Sequence, residues 1–537
     1  MERKRIKAVG FERRAVFFVL SSCFGIVIGN LLWAVARRYF PALPMGTSAI
    51  TSGALAFAAL LAWRSLSMVR RLPTWIDGAM QSHPWRSIGF GVLALLTVVQ
   101  VARVTIHTVD PDSPWWILTP NPFWSQHECG TAYFHAVELH ERGEKNIYHA
   151  DHYPVLNRDM EPKTAIQEMK VEDAYQYPPQ FLLLPKFLLS ITDHYPTLRI
   201  IWFTLQILVV SAALFLLASF VGGVRGDWMA MLVPLIVVAP AALYSYQYSQ
   251  FHLIAIALAV MGMVAFEGNR NALGGALLAS AILGKIFPAF LLVLLVAERR
   301  WKAVAWTFAF GTIITIITLG VFGTAPFTAF FNYQVPRLHS FAAFAFLDVW
   351  PEVRFELLTA NLSPHGQVMK LAEMGIPGMT HGVATAANSV CTIALIGLGV
   401  YAAKRLDTPV RRAQAWLSII GLASLLSPAA WGDYVPWPAL WLLSTLAVDA
   451  VASRRFAVVL GVCGFFFYFL VGLVPLGMFP PPMITYTLST ISFALLVGLM
   501  SWTLVRKTSW AGQEQKQHEQ YGIAYRVSEQ SAPSHQF

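Results

Sequence analysis

Charge is scarce in this chain. Asp, Glu, Lys and Arg make up 13% of its 537 residues, about half the roughly 25% of an average soluble protein. So little charge excludes the row of soluble domains that the length would otherwise suggest. Cysteine is scarce too, with four in all. Cys23, Cys391 and Cys463 sit in apolar runs and Cys129 stands alone in a polar stretch, so no disulfide framework is expected. No glycine-rich nucleotide loop of the dinucleotide or P-loop kind is read in the sequence. The net charge of +10 does not point to nucleic acid here. In a membrane protein the placement of positive residues reports orientation.

What is abundant is apolar sequence, 56% of the chain. About 20 residues of helix cross a bilayer core. Runs of that kind are expected to span at 15–36, 47–68, 87–106, 197–221, 228–246, 251–266, 302–323, 381–403, 414–430, 437–452, 456–475 and 484–505. The first run follows the basic start Met1 to Lys7 without a small-residue cleavage site, and is read as a retained helix. Region 272–298 is apolar but interrupted by Gly284-Lys285-Ile286-Phe287-Pro288, which predicts two short helices meeting at a turn. The fold class is therefore an all-α polytopic membrane protein with about 14 transmembrane helices. Lys and Arg support one orientation, with both termini cytoplasmic. Arg225, Arg270, Arg299, Arg300, Lys404, Arg405, Arg411, Arg412, Arg454 and Arg455 fall in short cytoplasmic connections, whereas 247–250, 431–436 and 476–483 on the other side carry none.

This divides the chain into N-terminal helices over 1–110 (two additional spans and a first core span), a first outer loop over 111–196, and a transmembrane core over 197–323. A second outer loop over 324–380, C-terminal helices over 381–505 and a disordered cytoplasmic tail over 506–537 complete it. Phe181 to Ile191 is too short to span and is expected to lie as an interfacial helix on the membrane.

Chemistry-bearing residues gather at the outer turns. Glu128, Tyr133, Tyr148 and Tyr175-Gln176-Tyr177-Pro178-Pro179 come from the first loop. Gln247, Gln250 and His252 lie in one short turn, Lys285 at the helix break, Arg337, Asn361 and Ser363 in the second loop, and Ser427-Pro428 through Trp431 and Asp433 in a late turn. Most aromatics near helix ends belong to an interfacial belt. Lys285 is different, because a lysine inside an apolar region is costly and usually functional.

The order of these motifs resembles glycosyltransferase family 87, the polyprenyl-phosphate-mannose-dependent mannosyltransferases of the GT-C superfamily. The resemblance runs over about 120–500 and rests on several matches in order. Glu128, Tyr133, Ala136, Gly143 and Tyr148 match the start of the family's large outer loop. Tyr177-Pro178-Pro179, Ser249-Gln250-Phe251-His252, Gly274-Gly275 through Lys285, Asn361-Leu362-Ser363 and Ser427-Pro428-Ala429-Ala430-Trp431 match later motifs. Three positions depart from the family pattern: Glu128 replaces an aspartate, Ser249 and His252 replace Gly and Asn, and Asp433 stands where a His is common.

The resemblance implies a GT-C-like fold and a bacterial inner-membrane enzyme with a periplasmic active site. It would move a sugar, mannose or another hexose or pentose, from a polyprenyl-phosphate donor to a lipid or glycan acceptor, with inversion. Its partners would be that donor, the acceptor and membrane lipids; no nucleic acid, no metal and no cofactor are expected. Glu128 is the expected general base, with Asp433 and Glu172/Asp173 as alternatives. Lys285 and Arg337 would face the donor phosphate, with Gln250 and His252 on phosphate or sugar, and Tyr177 on a sugar face or the lipid. Asn361, Ser363, Trp431 and Asp433 would line the acceptor side or the pocket. A secondary transporter and a non-catalytic subunit of envelope-polysaccharide assembly are the alternatives, with a polysaccharide ligase or polymerase as a nearer enzymatic one.

Overall fold

The computed structural model describes residues 97–108, 127–157, 171–344, 349–470 and 482–506, with isolated positions between 25 and 36. The spans expected at 15–36 and 47–68, the first half of 87–106, and the tail beyond 506 fall almost wholly outside the described residues.

Helix dominates. Two residues of parallel β pairing, β1 (His127–Glu128) with β2 (Val171–Glu172), open the described part of the first loop. They lead into α1 (Cys129–Glu141), and later α2 (Leu183–Ile191), the expected interfacial helix, with Phe187 61% exposed. The bundle follows as α3 (Tyr195–Val221), α4 (Gly223–Val237), α5 (Pro240–Gln247), α6 (His252–Glu267), α7 (Asn271–Gly284), α8 (Leu291–Ala297) and α9 (Trp301–Phe322). After the second loop, which includes α10 (Pro364–Glu373), come α11 (His381–Ala403), α12 (Pro409–Ser424), α13 (Pro436–Ala452), α14 (Arg454–Phe465) and α15 (Pro482–Val505). The punctuation is chemical. Ser363, Thr380, Thr408 and Ser453 cap α10, α11, α12 and α14 through their hydroxyls. Prolines open α5, α10, α12 and α13, where a missing N–H leaves nothing unsatisfied.

Among the described residues, α3, α9, α11 and α15 are long and apolar enough to cross a membrane, and α5 with α6 makes a fifth candidate bent by 115°. The other expected spans take the form of shorter helices. The run 228–246 is divided between α4 and α5 at Val238-Ala239, just before Pro240. The run 272–298 is broken at Lys285-Ile286, as its Gly-Lys-Ile-Phe-Pro interruption predicts.

Two hydrophobic cores form. One lies in the bundle around Phe203, Leu253, Trp416, Trp437 and Trp441. The other is rich in tyrosine (Tyr133, Tyr148, Tyr153, Tyr175 and Tyr177, with Phe181, Trp202 and Phe251) and draws on both loops. Phe287 and Trp431 pack against both. Apolar side chains of α9 and α11, with Phe308 63%, Ile316 61% and Ile393 71% exposed, stay uncovered among the described residues, as expected of helices in lipid.

Candidate active site

The site is assembled where the two cores meet. Glu128 ends β1 with an extended backbone at the position just before α1, without a side-chain cap hydrogen bond. Only 1% exposed, it turns its carboxylate inward: Oε1 accepts from Arg199 Nε at 2.8 Å and from Ser249 Oγ at 2.7 Å, while Oε2 is buried without a hydrogen-bond partner. Asp173 follows β2, where its backbone N–H reaches Thr131 Oγ1 at 3.3 Å. Its side chain hydrogen-bonds the Cys129 thiol, which burial holds well above its usual range.

The turn between α5 and α6 faces this carboxylate. Ser249 takes a left-handed backbone, φ 53°, and Gly130 approaches so closely that a Cβ there would lie 2.7 Å from Ser249 Cβ. The next residue, Gln250, donates through Nε2 to Asp433 Oδ2, and its own carbonyl accepts from Gln206 of α3. Neighbouring turn residues thus hold two different carboxylates. Asp433 Oδ1 and Gln250 Oε1 are buried and unpartnered. Burial pushes the Asp433 carboxyl up to about 7, against the opposing effects of the Gln250 hydrogen bond and the Lys285 charge. His252 opens α6 with its ring stacked on Tyr434, centroids 3.7 Å apart and planes at 13°; its Nδ1 is buried without a partner.

Lys285 enters from the break after α7. Its Nζ stands 3.8 Å from the centroid of the Tyr177 ring, a cation–π contact. It forms no salt bridge among the described residues. Gly284 brings the end of α7 against Phe251, where a Cβ would sit 2.1 Å from the ring. Tyr177 itself looks inward: its hydroxyl is 2.6 Å from that of Tyr133, its carbonyl accepts from Tyr148, and its ring stacks on Phe181. One face carries Lys285 rather than standing open to a sugar.

The remaining expected residues sit apart. Asn361 and Ser363 act as a staple: Asn361 Nδ2 and Ser363 Oγ both donate to the Pro428 carbonyl, at 3.0 and 2.8 Å, and Asn361 Oδ1 accepts the Ala430 N–H at 3.1 Å. The buried Lys370 locks the same loop, donating to the Asn361 carbonyl at 2.8 Å and to Ser489. Through the Asn361–Trp431 bridge this staple sets the turn that carries Asp433. Arg337 donates to the Ala342 carbonyl at 3.0 Å and lies over Tyr333; no described contact joins it to Lys285 or to either carboxylate. Its loop does reach the site's edge, since Gln176 donates to the Ala343 carbonyl at 2.9 Å. Arg199 escaped the sequence reading although it pairs with Glu128. Its signal was the one that marked Lys285, a lone cation in an apolar run. The sequence suggests no Asp-x-Asp of the kind that holds a metal–nucleotide pair, yet it does contain Asp110-Pro111-Asp112, which lies outside the described residues.

Comparison with curated proteins and with solved structures returns no match. A family model does match, over residues 175–428. That stretch takes in Tyr177, Gln250, His252, Lys285, Arg337, Asn361 and Ser363, while Trp431 and Asp433 lie just past its end and Glu128 lies well before its start. The family is glycosyltransferase family 87, which this segment of the chain resembles.

Proposed function

We propose that this membrane glycosyltransferase takes its sugar from a polyprenyl phosphate and passes it, with inversion, to a lipid or glycan acceptor. The reaction would run at the periplasmic face of a bacterial inner membrane, within a fold of about 14 spans with both termini inside. One observation carries the reading. Glu128 Oε2, Gln250 Oε1 and Asp433 Oδ1 are buried acceptors without partners, and Lys285, whose charge acts on Asp433, forms no salt bridge among the described residues. Buried polar groups are rarely left so, and each orphan costs about 1–3 kcal/mol. Hydroxyl groups of a sugar would satisfy the acceptors, and a phosphate would suit the lysine. A sugar phosphate offers both.

In this reading Glu128 takes the acceptor's hydroxyl proton as the acceptor oxygen attacks the anomeric carbon. The bond to the phosphate oxygen breaks, and its electron pair leaves with the phosphate, stabilised by Lys285. Asp433, Gln250 and His252 would hold the sugar, and Asn361, Ser363 and Trp431 would shape its surroundings. The charge layout supports the orientation. Glu267, Glu298, Arg300 and Arg412 form a network at the ends of α6 and α8 and the starts of α9 and α12. That is the far end of α6 from His252, about 23 Å away at 1.5 Å per residue.

The test is turnover by purified protein in vesicles, offered a panel of polyprenyl-phosphate sugars. Release or transfer of one sugar is expected. No turnover with any donor would overturn the reading. A secondary transporter is the second reading, favoured by two interrupted helices, α5–α6 and α7–α8; uptake of a free solute by the same vesicles, without sugar transfer, would establish it.

A further inference from the structure

We infer that Arg199 is a positioning residue for sugar transfer: it fixes which oxygen of Glu128 meets the acceptor. The inference rests on the proposed function and deepens it. Arg199 lies near the start of α3, 2% exposed. Its Nε donates to Glu128 Oε1 at 2.8 Å, and its Nη1 reaches the carbonyls of His107 and Thr108 at 3.3 and 3.2 Å. One planar guanidinium therefore ties three pieces of chain, the helical segment 97–108, β1 and α3. Ser249 adds a second donor to the same Oε1. With Oε1 held by two donors, the carboxylate cannot rotate, and Oε2 is the oxygen left to accept a proton.

The assignment has a balanced chemistry. The acceptor hydroxyl proton passes to Oε2, the new C–O bond forms at the anomeric carbon, and the electron pair of the broken bond departs on the phosphate. Glu128 then returns its proton to water as product leaves. Arg199 touches no reacting atom. It supplies charge and direction to the group that does. A lysine in its place has one ammonium at the end of a flexible stem and would not reproduce the planar, divergent donors.

The experiment uses the full chain in vesicles with whichever polyprenyl-phosphate sugar the wild type turns over, and compares Arg199→Met, Arg199→Lys and the double variant Glu128→Gln/Arg199→Met. Arg199→Met is expected to lose about 100-fold in kcat per folded molecule with donor KM within about twofold. The acid limb of its pH–rate profile should move up by about one unit, because a buried carboxylate without its counter-charge resists ionisation. Arg199→Lys should recover about tenfold of that loss. The double variant removes both charges, should melt close to the wild type, and should be no slower than Glu128→Gln alone. Arg199→Met that keeps wild-type kcat and pH profile per folded molecule would overturn the inference, leaving the pair as scaffold. If Arg199→Met does not fold, the kcat of Arg199→Lys decides: a wild-type kcat per folded molecule overturns it. A wild type that turns over no donor is seen first, and removes the functional reading and this inference together.

Discussion

Glu128 and Asp433 differ in what surrounds them, and their variants should differ accordingly. Glu128→Gln keeps the shape and the donors from Arg199 and Ser249 but cannot take a proton, so kcat should fall by about 10²–10⁴-fold in the vesicle transfer assay. Asp433 carries a carboxyl pushed up to about 7 by burial. The folded state then keeps a proton that the unfolded chain gives up near its ordinary value, so stability falls as pH rises toward 7 and levels off above it. Asp433→Asn cannot ionise, and should be more stable than the wild type at pH 8 by an amount on the order of a few kcal/mol, with little difference at pH 4. Detergent melting curves at the two pH values check this. These residues were legible in the sequence because each is a polar group beside an apolar run. Arg199 was not singled out, since one cation barely alters the hydropathy of a 27-residue helix. Asn361 and Ser363 show the opposite limit. The same side chains serve a sugar or a neighbouring carbonyl, and only the fold shows that they bind Pro428.

At the scale of elements, the broken helix was readable and the bent one was not. Gly284-Lys285-Ile286-Phe287-Pro288 advertises its break through composition, whereas α5 and α6 are both apolar and their 115° bend leaves no periodic trace. The close contact of Gly284 with Phe251 is what brings Lys285 to Tyr177. Gly284→Ala must displace the end of α7 or the Phe251 ring, so donor KM should rise at least about tenfold while the bundle still folds, by analogy with overpacking costs of about 1–3 kcal/mol. Steady-state kinetics with varied donor would show it; an unchanged KM would mean that Lys285 does not meet the donor. Lys285→Met should raise the same constant.

Across the whole molecule, one network of ion pairs lies at the far end of α6 from the candidate site. Arg412 reaches Glu267 at 3.1 Å and Glu298 at 2.8 Å, and burial raises the Glu298 carboxyl. Arg412→Met should lower stability by about 2 kcal/mol, the figure for a buried pair reduced for its partial exposure. Transfer per folded molecule should stay at the wild-type rate, which thermal melting and activity measured together would test. The meeting of the two cores has a further consequence. Glu128 is carried by the tyrosine-rich core, with Cys129 and Tyr133 beside it, and Asp433 by the bundle core, with Tyr434 and Val435 beside it. The proposed reaction centre is a fault line between two bodies of packed side chains. Proteins open in cooperative pieces before they unfold globally, and here the first parting would pull the two carboxylates asunder while every helix stayed intact. Heat should therefore silence this enzyme at a temperature where circular dichroism still reads a full complement of helix.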